Sequence, residues 1–403
     1  MPQFTYRAVT PQGKVIEDKM EAANAQAVAE KLQQFEFLPL KISAKGSGLK
    51  RDIFNSTPKV KVDDVIVFTR QLVTLLKAGV PLLACLDALG EQTENKGFKD
   101  IILVVYRDIE GGLSFSEALG KHPKIFASMY VSSIRAGESG GALDEVLERL
   151  SELMEHDRET NARIKSAMRY PIIVIVSMVV AFFALMLLVV PKFITMFEKM
   201  GLDLPLPTRV LIMIYGVVSK QWYIILLVVI ALVIAFKLWV KTERGHYIWD
   251  GLVLKIPIFG PLILKTAMSR FTRMFETLNS SGLPILQTLD IVSETVGNAV
   301  VGREIQKASL GIRQGEGIAV PLKQSKLFPP MVVRMISIGE QSGSLDEMLL
   351  NVSKHYDMEV EYAVKNLTSM IEPILTVGLG TIVLFLALAI FLPMWDLTKL
   401  ARK

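Results

Sequence analysis

One segment of this sequence is written twice. FTRQLVTLLKAGVPLLACLDAL, residues 68–89, returns as FTRMFETLNSSGLPILQTLDIV, residues 271–292. Phe68, Thr69, Arg70, Gly79, Pro81, Leu86 and Asp87 fall on Phe271, Thr272, Arg273, Gly282, Pro284, Leu289 and Asp290. After a one-residue slip near Pro123, GESGGALDEVL (137–147) falls on GEQSGSLDEML (339–349), Pro171 on Pro373 and Pro191 on Pro393. A duplication on this scale constrains the architecture before any single residue does, because each copy must fold as the same supersecondary unit. Each copy is a helically patterned polar stretch that runs into a long apolar segment bracketed by two prolines.

Those apolar segments set the class. Pro171 to Val190 (PIIVIVSMVVAFFALMLLVV) and Pro373 to Trp395 (PILTVGLGTIVLFLALAIFLPMW) carry no charge. At about 1.5 Å per residue each is long enough for the ~30 Å hydrocarbon core of a bilayer. A third segment, Trp222 to Val240, has Trp222, Tyr223 and Trp239 where interfacial aromatics belong and Lys237 near enough to its end to snorkel. With 51% hydrophobic residues, 21% charged and a mean hydropathy of +0.40, the chain is too apolar for an ordinary soluble enzyme. Parity explains the middle segment: two similar bundles on one side of a membrane, each followed by a crossing, need one further crossing to bring the chain back. Arg158, Arg163, Lys165 and Arg169 before the first span, with Lys241 and Arg244 after the second, predict that both bundles and the N-terminus are cytoplasmic. Lys192, Lys199, Arg209, Lys399, Arg402 and Lys403 weigh on the other side. MPQFTYRAV has no apolar run behind a basic start, so a cleaved signal peptide is not expected.

The predicted fold is mainly α, a polytopic membrane protein with two homologous cytoplasmic six-helix bundles, three transmembrane helices and a small N-terminal ββαβ module. Residues 1–43 form that module and 44–60, rich in glycine, serine, proline and basic residues, a linker. The first bundle covers 61–169, the first span 170–191, an external loop 192–221, the second span 222–240 and a cytoplasmic connector 241–265. The second bundle covers 266–372, the third span 373–395 and an external tail 396–403. In the first bundle Val65, Phe68, Leu72 and Leu75 share a helix face that the second copy keeps as Met268, Phe271, Phe275 and Leu278. Gly79 can close that helix and Pro81 can open the next. Ser114 and Glu117 have the spacing of a capping box, and a long helix is expected from Leu143 to about Arg169.

Little in the chain points to catalysis. The phosphate-binding pattern G-x-x-x-x-G-K-[ST] is missing, and His122, His156, His246 and His355 are scattered without metal or triad spacing, as ordinary surface or interfacial residues. The lone Cys85 reads as core filler. No basic patch interleaved with aromatics suggests nucleic acid; the net charge of +5 fits an anionic membrane surface better. Apart from Lys237 the spans hold no Asp, Glu, Lys, Arg or His, which speaks against an ion-coupled transporter built from repeats, the main rival reading. GESGGALDE and GEQSGSLDE read first as helix breaks with caps, Ser344 with Glu347 capping the second, and also as an exposed loop suited to a partner. Glu145, Glu148, Glu152 and Glu155 form an acidic stripe, usually a solvated face. With Glu94 nearby, Glu148 and Glu152 could hold a hard cation, in the first copy only.

The paired FTRQLVTLLKAGVPL and FTRMFETLNSSGLPI, the paired GESGGALDE and GEQSGSLDE, and the basic stretch leading to Tyr170 and Pro171 with Pro191 closing the span resemble the type II secretion F family. These are the inner-membrane platform proteins of bacterial type II secretion systems and type IV pili. The resemblance implies a non-enzymatic, homo-oligomeric platform in the bacterial inner membrane, needing no cofactor and binding no nucleic acid. It implies binding to a hexameric assembly ATPase, in some machines also a retraction ATPase, to pilin or pseudopilin subunits and to other inner-membrane machine components. Partner contacts would fall on the doubled motifs: Arg70, Gly79, Pro81, Gly137, Glu138, Gly141 and Asp144, and Arg273, Gly282, Pro284, Gly339, Glu340, Gly343 and Asp346. It further implies calcium on Glu94, Glu148 and Glu152.

Overall fold

The computed structural model describes residues 3–9, 15–22, 25–34, 37–44, 59–200 and 205–400. Residues 10–14 and most of the expected linker lie outside them. The chain falls into two compact units, one of Met1–Val65 with Leu86–Arg107 and the other of Ile66–Cys85 with Asp108–Lys403.

In the first unit, β1 (Gln3–Val9), β2 (Val15–Glu21), α1 (Ala25–Gln34) and β3 (Leu38–Ala44) form a three-stranded antiparallel sheet in the order β2-β1-β3, with one helix. Alternation puts Tyr6 and Ala8 on one face of β1, where they bury with Ala22, Val28 and Leu32. Asn95 opens a helix in the same unit: its Oδ1 accepts from the Gly97 amide at 3.1 Å and its Nδ2 donates to Asp64 at 2.7 Å.

The helices of the first copy are α2 (Val62–Lys77), α3 (Leu82–Gln92), α4 (Lys96–Glu110), α5 (Phe115–Gly120), α6 (Ser128–Gly140) and α7 (Leu143–Leu188). After α8 (Val190–Met200), α9 (Leu206–Val240) and α10 (Glu243–Leu254) the same order returns. The second set is α11 (Phe259–Ser280), α12 (Ile285–Thr295), α13 (Ala299–Arg313), α14 (Ala319–Gln324), α15 (Pro330–Ser342) and α16 (Leu345–Leu400). Met268, Phe271, Phe275 and Leu278 are buried on one face of α11, against which α16 packs. Phe271 meets Phe275 and Phe328 edge-on, at 5.7 and 5.1 Å between ring centroids. Of the matching face of α2, Val65, Phe68 and Leu72 are buried and Leu75 is half-buried. Ser114 caps α5 in a full capping box with Glu117.

Among the described residues three helices are long and apolar enough to cross a membrane, those carrying the segments of α7, α9 and α16. They extend beyond the apolar segments read from the sequence. Helix α7 does not stop near Arg169 but continues through Pro171, and α16 continues through Pro373. A proline removes one backbone donor, yet Tyr170 and Ile172 flank the first and Glu372 and Ile374 the second, with no adjacent glycine or asparagine to close the helix. Part of the segment expected as an external loop is helical: α8 covers Val190–Met200 and α9 begins at Leu206, with a kink at Gln221 (φ −123°). Apolar contact explains the extension. Leu211 packs with Met186 and Val190 of the first span and with Leu386 and Ala389 of the third, and the Thr208 hydroxyl donates to the Ala389 carbonyl at 2.6 Å.

Candidate functional site

The doubled GE motif builds one joint in each copy. Gly141 ends α6 and Gly343 ends α15, both left-handed, with φ of 69° and 72°. Gly137 and Gly339 are buried one turn earlier, where the next helix crosses closely. A Cβ on Gly137 would lie 3.1 Å from the Val146 side chain, and one on Gly339 only 2.8 Å from the Leu345 Cα. The glutamate between them reaches back to a short helix. Glu138 accepts from the Phe115 and Ser116 amides at 2.6 and 3.1 Å, and Glu340 accepts from the Ile318 and Ala319 amides at 2.9 and 3.3 Å. The pattern recurs because the first amides of α5 and α14 lack partners inside their helices. Replacing Glu138 by alanine removes two charge-assisted hydrogen bonds and is expected to cost about 1–3 kcal/mol. Thermal unfolding of purified Glu138→Ala and Glu138→Gln checks this; the amide should recover part of the loss.

The doubled arginines also find equivalent partners. Arg70 pairs with Glu155 at 3.3 Å on an exposed surface. Arg273, its counterpart, pairs with Asp357, the counterpart of Glu155, in a half-buried setting. There the pair recruits more groups. Asp357 accepts from the Ser269 hydroxyl at 2.5 Å and lies 3.2 Å from His156 Nε2 on α7 of the first copy. Burial alone would raise the Asp357 carboxyl, but hydrogen bonds from His156 and Ser269 and the charge of Arg273 outweigh it and hold it at about 2.

His156 belongs to a ladder that joins the two copies. Arg149, His156 and Arg163, seven residues apart, meet Glu276 (3.1 Å), Asp357 and Glu361 (3.5 Å). Arg270 completes it on Asp157 at 3.2 Å and Asn161 at 3.3 Å. Toward the membrane the seam turns apolar, with Ile164, Ala167 and Met168 of α7 against Val360, Val364, Leu367 and Ile371 of α16. The heptad spacing of Arg149, His156 and Arg163 was available in the sequence. It is overshadowed there by the acidic stripe one helical face away.

The remaining motif residues have local roles. Gly79 (φ 79°) with Pro81, and Gly282 (φ 83°) with Pro284, make exposed turns. Asp346 accepts from Asn279 Nδ2 at 2.5 Å. Asp144 lines a cleft of about 590 Å³ with Glu145, Glu148, Glu152 and Glu276. Glu148 is held there by Lys77 at 2.5 Å, and Glu94 is exposed in the turn before α4. Among the described residues no group of three or more His, Cys, Asp or Glu side chains is placed to hold a metal ion. The Asn N-caps of α4 and α13, Asn95 and Asn298, are a repeated feature that the sequence reading missed; Asn298 Oδ1 accepts from the Val300 and Val301 amides at 3.0 and 3.1 Å.

Both copies, residues 68–191 and 271–393, match the family model described as type II secretion system (T2SS), protein F, and residues 1–43 match the model of its N-terminal domain. The chain belongs to the type II secretion system protein F family. Among similar members of the protein F family is a type IV pilus assembly protein PilC of Thermus thermophilus, 40% identical and covering 98% of each chain. A PilC of Myxococcus xanthus is 39% identical over 98% of this chain and 95% of its own. A type II secretion system protein F of Vibrio cholerae is 31% identical over the full length of both. The protein F matches end with the helices that carry the first and third spans, so the family unit is bundle plus crossing.

Proposed function

We propose that this chain is the inner-membrane platform of a type IV pilus or type II secretion machine. In this reading its two bundles face the cytoplasm and bind an assembly ATPase. The spans pass ATPase-driven motion to a pilin or pseudopilin entering the growing filament. Family membership and the spans support the platform role. The mechanical reading is carried by one observation: α7 and α16 each run without interruption from a bundle into a span and are clasped together between. A continuous helix transmits displacement where a loop would absorb it, and two helices joined by a ladder and an apolar seam move as one lever. The higher identity to PilC chains than to secretion chains favours the pilus branch.

A flexible Gly-Ser insertion after Ala167 in the full-length protein tests the lever. Surface filaments should be lost in cells carrying it as the sole copy, while the assembly ATPase still co-purifies with the protein. Normal filament assembly would overturn the lever; loss of ATPase co-purification in the unmodified protein would overturn the partner assignment.

A further inference from the structure

Helix α10 is bound on one side and bare on the other. Its Asp250 accepts from the Ala299 amide at 2.7 Å, at the start of α13, and the Arg303 guanidinium sits 5.1 Å over the Tyr247 ring. These contacts fix α10 to the second bundle. By helical spacing Ile248, Trp249 and Leu252 share another face, and they are 49%, 37% and 52% exposed, with Ile256 just beyond the helix also exposed. Arg244 and Lys255 flank this stripe and are exposed too.

The bare face is the one turned toward the end of the second span. Only Lys241 and Thr242 separate α9 from α10, and Thr242 caps α10 by accepting from the Gly245 amide at 3.1 Å. Gly245 lies on the same face as the stripe. A Cβ there would come within 1.9 Å of the Trp239 carbonyl, so the first turn of α10 presses directly on the last turn of the span. Trp249 then stacks edge-on against Phe236 of the span, 4.9 Å between centroids. Phe236 lies inside the apolar segment, so Trp249 is held at the level where that segment leaves the hydrocarbon. Helices α10 and α11 are together apolar enough to suggest a further broken crossing, bent by 112°. Phe271 and Phe275 of α11 are instead buried inside the second bundle, which excludes α11 from lipid.

We propose that α10 is an interfacial helix that seats the second bundle on the bilayer surface. Ile248, Trp249, Leu252 and Ile256 enter the boundary between headgroups and acyl chains, and Arg244 and Lys255 meet lipid phosphates. An apolar stripe with a tryptophan and flanking cations suits that layer and is costly in water. The inference requires only that α9 crosses a bilayer and does not depend on ATPase coupling. The helix would hold the second bundle at a set height, giving the α7–α16 lever a fixed point to work against.

The test uses the full-length protein in vesicles of phosphatidylethanolamine and phosphatidylglycerol, with a nitroxide attached at Leu252→Cys, at Ile248→Cys, or at Glu243→Cys on the opposite face. Cys85 is buried, and the unsubstituted protein reports any label it takes up. The ratio of oxygen to nickel-chelate accessibility should be several-fold higher at 248 and 252 than at 243. Equal nickel access at all three positions would overturn the proposal by placing the stripe in water. Exclusion of both probes at 248 and 252 would overturn it in favour of a covering protein, whether a second copy or another partner. Tryptophan quenching by lipids brominated near the headgroup gives a label-free reading; Trp222, Trp239 and Trp395 contribute to it as well, and Trp249→Tyr should remove the Trp249 share. An unchanged quenching profile in that variant would also count against the proposal.

Discussion

Replacing Asp357 by alanine is expected to destabilise the junction between the two copies by about 2–4 kcal/mol. Replacing its counterpart Glu155 should cost less than about 1 kcal/mol. Both acids pair with the equivalent arginine of their own copy, and the difference lies in the surroundings. The Arg70–Glu155 pair is exposed, with the arginine side chain 69% accessible, where solvent screens the attraction. Asp357 and Arg273 are about one-fifth accessible, and Asp357 also holds Ser269 and His156. Removing it strands a partly buried guanidinium, whose loss of partner costs more than the pair itself contributes. The figure is set below that for a fully buried pair because some solvent reaches both groups. Hydrogen exchange across α11 and α16, read beside thermal unfolding, separates loss of the seam from global unfolding.

The same carboxyl gives a pH dependence with a definite sign. Its folded value of about 2 lies below the ordinary value of 3.8. Its contribution is therefore complete above about pH 4 and is lost as pH falls through about 2. The stability difference between the wild type and Asp357→Asn should accordingly be flat near neutrality and shrink only in that acid window. A difference that disappeared between pH 5 and 7 would show that the carboxylate is not held as described.

Gly339→Val is the second large effect expected, about 2–4 kcal/mol, with α16 displaced at its first turn. A Cβ at this position would lie 2.8 Å from the Cα of Leu345 and 3.2 Å from the Met348 side chain. The nearest obstacle is backbone, so no rotamer change relieves the contact and the α15–α16 crossing must open. Gly343→Ala, four residues on, is the control. It has open space and only a left-handed φ of 72° to offend, which should cost about 1 kcal/mol. Because Gly339 packs against the first turn of the long helix α16, Gly339→Val should also depress filament assembly more than its stability loss alone predicts. Counting filaments at matched protein levels checks this.

The duplication was legible because it is a statement about sequence: Phe68 and Phe271, Gly141 and Gly343, Pro171 and Pro373 announce equivalent places whatever the fold. The three spans were legible because uncharged runs of that length have few other solutions in a membrane protein. Helix ends were less so. The end expected near Arg169 gives way to a helix that runs on through Pro171, and much of the expected external loop is helical. In the external loop, packing against the other spans decides where the helix runs, and local propensity carries no information about that neighbour. The motif glutamates were legible only as part of a helix break and exposed loop; each spends its carboxylate on the first amides of a short helix about twenty residues earlier in the chain. Sequence spacing gives no sign of that reach.

The order of residues by itself determined that this protein is a repeated helical unit tied to a bilayer, since periodicity, helix-closing glycines and uncharged apolar runs act within a few turns of the chain. Only the tertiary structure decided that Asp357 of one copy faces His156 of the other, that equivalent arginines sit in unequal solvent, and that α10 turns a bare apolar face toward the end of a span. Each of these depends on which helices meet, and that is set by how two copies of one unit pack against each other. A repeat cannot encode this in its own pattern, because the two copies begin alike and become different through the neighbours they acquire.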